Sequence, residues 1–184
     1  TFLNLITNTE FTLRAKYLVG MDGARSKIVE QLDLPLEGIM ARAGTVYVTF
    51  KADLSKYVQH RPAILQWIVN PEASFGDLGM GLLRALTPWN EWIMGWGFDI
   101  SKGEPKVTEE QVRARLDAVV GEHVEEVEIQ KLSYWYVNQT WATEYSKGRV
   151  FCGGDAVHRH PPSSGLGSNT CMQDAFNLGW KLAY

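Results

Sequence analysis

The sequence is poor in cysteine, in runs of basic residues and in long apolar segments. Its two cysteines, Cys152 and Cys171, lie in apolar surroundings without CxxC spacing, which argues against a disulfide framework and favours a reducing, cytoplasmic compartment. No apolar run is long enough to span a bilayer, and neither a signal peptide nor an internal repeat is recognisable. The formal net charge is -3 without a basic run, so neither nucleic acid nor a membrane is expected as a partner.

The composition is that of a globular protein, with 45% hydrophobic and 21% charged residues. A length of 184 residues suffices for one domain with a sizeable core or for parts of two. Alternating apolar and aromatic residues between positions 44 and 98 predict an antiparallel sheet with one face covered. The predicted strands are Thr45–Phe50, Ala63–Val69, Gly79–Leu86 and Trp92–Phe98, with a turn at Thr87–Glu91.

Other elements are predicted before and after this sheet in the sequence. They are a hairpin (Phe2–Ile6 and Phe11–Ala15), a short buried strand (Tyr17–Gly20), a helical piece (Ala24–Leu32) and a strand (Glu128–Val137). Residues 108–121 predict an isolated helix, because Thr108 and Gln111 suit a capping box and Gly121 suits the stop. This helix is interpreted as structural.

Residues 148–184 carry the densest pattern, which predicts a strand, a loop and a helix. The apolar run Val150–Cys152 forms the strand, and Gly153-Gly154-Asp155 ends it with a tight turn followed by a carboxylate. An ionised carboxylate only accepts hydrogen bonds, so Asp155 suits the hydroxyls of a sugar or polyol. Pro161-Pro162 then fixes the backbone in an extended path.

The loop at residues 165–169 contains two glycines, which let the main chain approach a ligand closely. The following helix is predicted from Thr170 to Ala183, with Ser168 or Asn169 as its cap, and most of its circumference should be buried. Its N-terminus offers free N–H groups and the positive end of the dipole to an anion or a polarised carbonyl oxygen. An ordinary strand-turn-helix is the alternative, which a lone Gly-x-Gly would favour.

The whole constellation resembles the second flavin motif of the FAD-dependent aromatic hydroxylases, the class A flavoprotein monooxygenases. Within that family, the residues of this motif are most similar to those of the phenol and 2,4-dichlorophenol hydroxylase branch. The matching positions are Gly154, Asp155, Ala156, His158, Pro161, Pro162, Gly165, Gly167, Asn169, Asp174, Ala175, Asn177, Leu178, Trp180, Lys181 and Leu182. One departure is Ser164, where many members have glycine.

A second fingerprint of the family, Asp-Gly-Ala-Arg-Ser-x-Val-Arg, resembles the chain after the Tyr17–Gly20 run. The matching positions are Asp22, Gly23, Ala24, Arg25, Ser26 and Ile28, while Val29 replaces the closing arginine. Alone, Asp-Gly after a strand is most often only a turn. In the family this motif lies near the flavin pyrophosphate and the path of the nicotinamide cofactor, so the resemblance implies Asp22 and Arg25 as cofactor-binding residues.

The resemblance also implies the fold. We expect an α/β domain of the FAD/NAD(P)-binding, aromatic-hydroxylase type, formed by residues 1–38 and 141–184, with an inserted, mainly antiparallel β-sheet substrate domain at residues 39–140. The FAD-binding domain is expected to be incomplete, because no Gly-x-Gly-x-x-Gly follows an N-terminal strand to hold the ADP pyrophosphate. The inserted sheet would roof the substrate pocket, with Trp67, Trp92 and Trp96 as wall residues. For each of the three, a place in the core is an equal alternative.

The activity implied is that of a flavin-dependent monooxygenase in aromatic hydrocarbon catabolism. Such an enzyme uses NAD(P)H and O2 to hydroxylate a phenolic, also chlorinated, ring ortho to its hydroxyl through a flavin C4a-hydroperoxide. Asp155 would bind the ribitol hydroxyls, and Pro162 would shape the catalytic edge of the flavin. The remaining cofactor-binding positions are Gly154, Gly165, Leu166, Gly167, Ser168 and Asn169, where the helix dipole would stabilise the reduced ring.

Other functions are left open at this stage. They are a halogenase or dehydrogenase on the same FAD scaffold, or an inactive chain that binds an aromatic ligand through the sheet. His158 and His160 suggest a metal site as a further possibility. Two histidine ligands are too few for such a site when the nearby aspartate is already assigned to flavin, so no metal is expected. His158 is expected to pack or to hydrogen-bond within the loop. The catalytic base, the particular phenol and a homo-oligomeric state are not fixed by the sequence.

Overall fold

The structure is a computed structural model that describes residues 1–70, 81–162 and 165–184. The chain forms two compact units: the first unit comprises Thr1–Ile39 with Gln139–Tyr184, and the second unit comprises Met40–Asn138. The boundaries predicted after residues 38 and 140 differ from this division by one and two residues, and the roles predicted for the two domains stay predictions.

Eleven strands and four α-helices are described, with two short 3-10 turns. The strands are β1 (Phe2–Asn4), β2 (Thr9–Phe11), β3 (Leu18–Gly20), β4 (Leu36–Lys51), β5 (Leu65–Ile68), β6 (Gly81–Thr87), β7 (Glu91–Phe98), β8 (Glu128–Ala142), β9 (Ser146–Lys147), β10 (Val150–Cys152) and β11 (His158–Arg159). The helices are α1 (Lys27–Leu32), α2 (Ser55–Val58), α3 (Glu109–Val120) and α4 (Leu166–Ala183). None of the helices in the described ranges is long and apolar enough to cross a membrane.

In the first unit, the predicted N-terminal hairpin is confirmed, with β1 and β2 paired antiparallel and shorter than expected. A second, three-stranded sheet has the order β3-β10-β9, in which β10 runs parallel to β3 and pairs Cys152 with Gly20. Parallel strands end at the same edge of a sheet, so the chain leaves β3 and β10 at neighbouring points. The predicted burial of β3 is wrong: Leu18 and Val19 are 39% and 43% exposed, since three short strands cover each other only in part.

Helix α4 departs from its prediction in three ways. It begins at Leu166 rather than Thr170, because Gly165 adopts the left-handed conformation (φ 61°) and starts the helix without a side-chain cap. Ser168 and Asn169 are therefore not caps: they lie in the first turn, where the Asn169 amide donates to the Gly165 carbonyl at 2.8 Å. Burial is also less than expected, with no residue of α4 buried.

The partial burial of α4 follows one stripe. Cys171, Asp174, Leu178 and Leu182 are half-buried, whereas Met172, Phe176 and Trp180 are exposed. A helix with apolar residues on most of its circumference can be buried on several sides. Among the described residues, however, α4 packs on one side only.

In the second unit, the predicted antiparallel sheet is confirmed, with strands in the order β8-β4-β7-β6-β5. The predicted start of one strand at Gly79 lies outside the described residues. One face of the sheet forms the larger core with α3, and its buried side chains include Val46, Val48, Phe50, Leu83, Trp92, Met94, Trp96, Val112 and Leu116. Residues paired across the strands share a face, so this core face is a continuous layer.

Helix α3 has the predicted ends. The Thr108 hydroxyl accepts from the Gln111 amide at 3.2 Å, and the Gln111 side chain accepts from the Thr108 amide at 3.0 Å. Gly121 closes the helix at φ 91°, where its N–H donates to the Asp117 carbonyl at 2.7 Å. The capping box and the glycine stop are therefore confirmed.

Replacement of Thr108 by alanine should lower the free energy of unfolding by about 1 kcal/mol, because the Gln111 amide loses its acceptor. Denaturant unfolding followed by far-UV circular dichroism measures this loss. Thr108→Ser keeps the hydroxyl and should stay within a few tenths of a kcal/mol of the unaltered protein. Equal stability of the alanine and serine variants would contradict the role of the cap.

Candidate functional site

The loop after β10 places one carboxylate at the surface of the first unit. Gly154 follows the strand at φ 63°, a conformation that side-chain-bearing residues rarely adopt, and opens a 3-10 turn over Gly154–Ala156. Gly154 and Ala156 are buried, whereas Asp155 between them is exposed. The turn thus fixes the backbone of Asp155 and leaves its carboxylate accessible to a ligand.

Cys171 of α4 lies next to this carboxylate, with its sulfur 3.6 Å from Asp155 Oδ1. Burial, and then the negative charge of Asp155, raises the pKa of the Cys171 thiol. The thiol therefore stays protonated at neutral pH and donates weakly to Asp155. This contact joins the loop to α4 without occupying the second carboxylate oxygen.

Asp174 holds the same loop from the inner stripe of α4. Its Oδ2 accepts from the Gly154 amide at 2.8 Å and lies 2.6 Å from Nε2 of the buried His158. In the sequence, Asp174 stands out only as a motif position. The available signal was its place on the stripe with Cys171 and Leu178, where a carboxylate among apolar residues needs a partner.

His158 is buried, and its hydrogen bond is to Asp174 of α4 rather than within the loop. Its ring lies 5.1 Å from that of His160. In the ranges that the structure describes, no three metal-ligating side chains form a cluster.

The Asp-Gly motif forms the start of α1. The Asp22 carboxylate accepts from the Ser26 hydroxyl and, at 2.8 Å, from the Lys27 amide, while Ser26 in turn caps the Val29 amide at 3.0 Å. Burial opposes ionisation of Asp22, yet these hydrogen bonds outweigh it and hold the pKa of its carboxyl below the usual value. Asp22 thus stabilises the turn, and its direct contact with a cofactor stays a prediction.

Arg25, the other predicted residue of this motif, is exposed. Within the described part of the chain its guanidinium makes no hydrogen bond or ion pair, so it is accessible to an anionic group. Arg159 was not marked by sequence analysis, although its guanidinium donates to the Ala24 carbonyl at 2.6 Å. Arg159 lies inside the second motif, at a position that its pattern leaves open, so the sequence offered no distinguishing signal.

The remaining predicted positions lie at the start of α4. Gly165, Leu166, Ser168 and Asn169 are exposed and Gly167 is half-buried. A Cβ added at Gly165 or Gly167 would meet nothing within 4 Å, so the space beside both is open. Pro162 is also exposed, and its carbonyl accepts from the Gly165 amide at 3.1 Å, which joins the proline step to the helix. Ser164 lies outside the described residues.

The three predicted substrate tryptophans, which belong to the second unit, do not share a surface. Trp92 and Trp96 are 0% and 4% exposed on the core face of the sheet. Trp67 is 51% exposed and, through its pairing with Leu82, lies on the opposite face in a row with Tyr47. Burial favours the core alternative for Trp92 and Trp96, and contact of any of the three with substrate stays a prediction.

Comparison with known proteins gives consistent results. A family model described as "FAD binding domain" matches residues 2–184. The chain is 48% identical over 178 residues to a 2,4-dichlorophenol 6-monooxygenase of Cupriavidus pinatubonensis, covering 97% of this chain and 30% of that protein. It is 43% identical over 183 residues to a phenol 2-monooxygenase of a Pseudomonas species, covering 98% of this chain and 28% of that protein.

Solved structures of two enzymes superpose on this chain. The flavin-dependent monooxygenase PieE, crystallised with FAD and substrate, superposes with a TM-score of 0.82 at 39% identity, over 98% of this chain and 31% of that one. The rebeccamycin biosynthetic enzyme RebC without substrate superposes with a TM-score of 0.80 at 29% identity, over 98% of this chain and 34% of that one. The chain thus spans about a third or less of the length of these proteins.

Proposed function

This chain belongs to the FAD binding domain family, and on that premise we propose that it forms the ribityl- and ring-facing part of an FAD site in an aromatic monooxygenase. The predicted resemblance to FAD-dependent aromatic hydroxylases is confirmed, as is the predicted fold class. The proposed reaction is hydroxylation of a phenolic ring ortho to its hydroxyl, with NAD(P)H and O2 as co-substrates. Relatives named for phenol and for 2,4-dichlorophenol support a phenolic substrate.

One observation carries the proposal: the Gly154–Ala156 turn, anchored by Asp174, presents the exposed carboxylate of Asp155 next to the first turns of α4. Only Oδ1 of Asp155 has a contact among the described residues, and such a carboxylate suits vicinal hydroxyls of a ribityl chain, each of which donates to it. The residues of this chain therefore fit the polyol part of FAD.

The start of α4 suits the flavin ring of FAD. Gly165 opens the helix without a side-chain cap, so the first amides of an 18-residue helix keep donors for carbonyl oxygens of a ligand. The open space beside Gly165 and Gly167 admits a flat group to the backbone. When bound, FAD supplies the redox chemistry, while this chain binds it, orients it and stabilises negative charge near the helix N-terminus.

The open face of the second unit's sheet is proposed to bind the aromatic substrate. Tyr47, Gly95, Leu82 and Trp67 form one cross-strand row on this face. A Cβ at Gly95 would lie 2.9 Å from the Tyr47 ring, so glycine lets that ring lie against the strand. Trp67 is exposed and Tyr47 is half-buried on this face, and their rings offer stacking surfaces for a planar ligand.

The visible spectrum of the purified protein with added FAD tests cofactor binding. We expect shifted flavin bands that co-elute with the protein. Asp155→Ala should weaken FAD binding by about 10- to 100-fold, the loss expected for hydrogen bonds to a charged group. Glu144→Ala removes another exposed carboxylate of the first unit and should leave FAD affinity unchanged.

Undiminished FAD affinity in Asp155→Ala would contradict the role of this carboxylate. Thermal unfolding without FAD serves as the folding control. Glu144→Ala should match the unaltered protein, and Asp155→Ala, which loses only the weak contact with the Cys171 thiol, should stay within about 0.5 kcal/mol of it. Phenol-dependent oxidation of NAD(P)H then tests the reaction. Bound flavin without any phenol-dependent oxidation would favour a dehydrogenase or halogenase on the same scaffold.

A further inference from the structure

Arg159 connects two loops that are far apart in the sequence. Its Nη2 donates to the carbonyl oxygen of Ala24 at 2.6 Å, across 135 positions of the chain. Its Nε donates to the carbonyl oxygen of Asp155 at 3.3 Å. One guanidinium therefore contacts the Asp-Gly turn after β3 and the Gly-Asp turn after β10.

The strands below these loops are already joined. β3 and β10 pair in parallel up to Cys152 and Gly20, and the next amide, that of Gly153, donates to the Gly20 carbonyl at 3.0 Å. Beyond this point the strand ladder ends, and each loop turns away through its own glycine. Arg159 extends the connection past the end of the ladder, to the parts of the loops that carry the candidate ligand-binding side chains.

The carbonyls of Ala24 and Asp155 are peptide groups, whose positions are set by the backbone and not by a flexible side chain. A planar guanidinium has several donors in a rigid fork, which suits two fixed acceptors, whereas a lysine ammonium is a single point of charge. Hydrogen bonds from a charged donor are also the stronger ones. The contact thus restrains the separation and orientation of the two loops.

We infer that Arg159 is a positioning residue that holds the Asp22–Ser26 turn and the Gly154–Ala156 turn in one fixed arrangement for the cofactor. It acts through the two backbone carbonyls and not by touching the ligand. The ligand named here, FAD, rests on the proposed function, whereas the restraint on the loops rests on the contacts of this chain alone.

Hydrogen exchange of the protein without flavin tests the restraint directly. Arg159→Gln should speed amide exchange about tenfold in peptides covering residues 22–28 and 153–157, because the loops lose a charged donor. Arg159→Lys should give an intermediate increase. Arg149→Gln removes an exposed guanidinium of the same unit that makes no hydrogen bond among the described residues, and exchange should stay unchanged. Unaltered exchange of both loops in Arg159→Gln would overturn the inference.

Flavin titrations separate positioning from direct contact with phosphate. Arg159→Gln should weaken binding of FAD and also of riboflavin, about tenfold for the latter, because the Gly154–Ala156 turn faces the ribityl chain that both flavins contain. A loss confined to FAD, with a steeper salt dependence in the unaltered protein, would show a phosphate contact and overturn the positioning role. If neither flavin binds the unaltered protein, the proposed function fails, and the exchange experiment alone decides the role of Arg159.

Discussion

Replacement of Asp174 by alanine is expected to abolish measurable FAD binding and to lower the free energy of unfolding by about 2–4 kcal/mol. One oxygen of this carboxylate accepts from the Gly154 amide at 2.8 Å and lies 2.6 Å from Nε2 of His158. His158 is 4% exposed, so water cannot replace the lost partner at low cost. Because a buried polar group left without its partner costs about 1–3 kcal/mol, two such losses account for the expected range.

The effect on FAD follows from the same geometry. Without Asp174, the amide of Gly154 has no anchor on α4, and the turn that presents Asp155 is free to rearrange. Asp174→Asn keeps one carbonyl oxygen for the Gly154 amide, so its losses in stability and affinity should be intermediate. Gln173→Ala changes the neighbouring exposed position of α4 and should match the unaltered protein.

Denaturant unfolding and FAD titration together measure these effects. Full stability and full FAD affinity in Asp174→Ala would show that the loop is held by other contacts. Destabilisation without loss of FAD binding would limit Asp174 to a structural role and separate it from the site.

Local elements of this fold were predictable from the sequence because their determinants are adjacent in the chain. The capping box of α3 needs only Thr108 and Gln111, three positions apart, and its stop needs only Gly121. The turn after β10 likewise depends on a glycine and an aspartate in succession. Motifs of this kind hold their geometry wherever the chain places them, so the sequence also predicted the tight turn that precedes the Asp155 carboxylate.

The start and burial of α4 were not predictable for a different reason. Ser168 and Asn169 are good capping residues, but Gly165 at φ 61° lets the helix begin earlier, and the choice depends on how the preceding loop arrives. Burial depends on partners: α4 is apolar on two stripes, and only the stripe with Cys171 packs on described residues. Composition indicates which surfaces can be buried and not which ones are.

Contacts such as those of Asp174 and Arg159 depend on tertiary structure. Arg159 is 135 positions from Ala24, and the carbonyls of Ala24 and Asp155 that it contacts are backbone groups, which no residue type marks. The same limit applies to the tryptophans. Alternation along β7 shows that Trp92 and Trp96 share a face, but the face of Trp67 follows from the register of β5, β6 and β7, which only the structure provides.

Replacement of Trp92 by alanine should be the most destabilising single change in the second unit, with a loss of about 3–5 kcal/mol in the free energy of unfolding. The side chain is 0% exposed and stacks on Trp89 at 6.1 Å between ring centroids. Its indole N–H lies 3.1 Å from the Ala52 carbonyl, just after β4, and 3.0 Å from the Trp89 carbonyl in the β6–β7 turn, so one donor joins these two segments. Trp92→Phe keeps most of the ring volume and removes only the N–H donor, so the free energy of unfolding should fall by less than in Trp92→Ala.

Trp67→Ala is the matched control, because the same residue type is removed from the opposite face. Trp67 is 51% exposed, so its loss in stability should stay below about 1 kcal/mol, while the Michaelis constant for a phenolic substrate should rise if the ring stacks on it. Calorimetric or denaturant unfolding of the two alanine variants distinguishes core from surface. Equal destabilisation by both would contradict the assignment of the two faces, whereas a stable Trp92→Ala with a raised Michaelis constant would return Trp92 to the substrate wall. The two variants thus decide by measurement which side of the sheet is core and which side is open to an aromatic ligand.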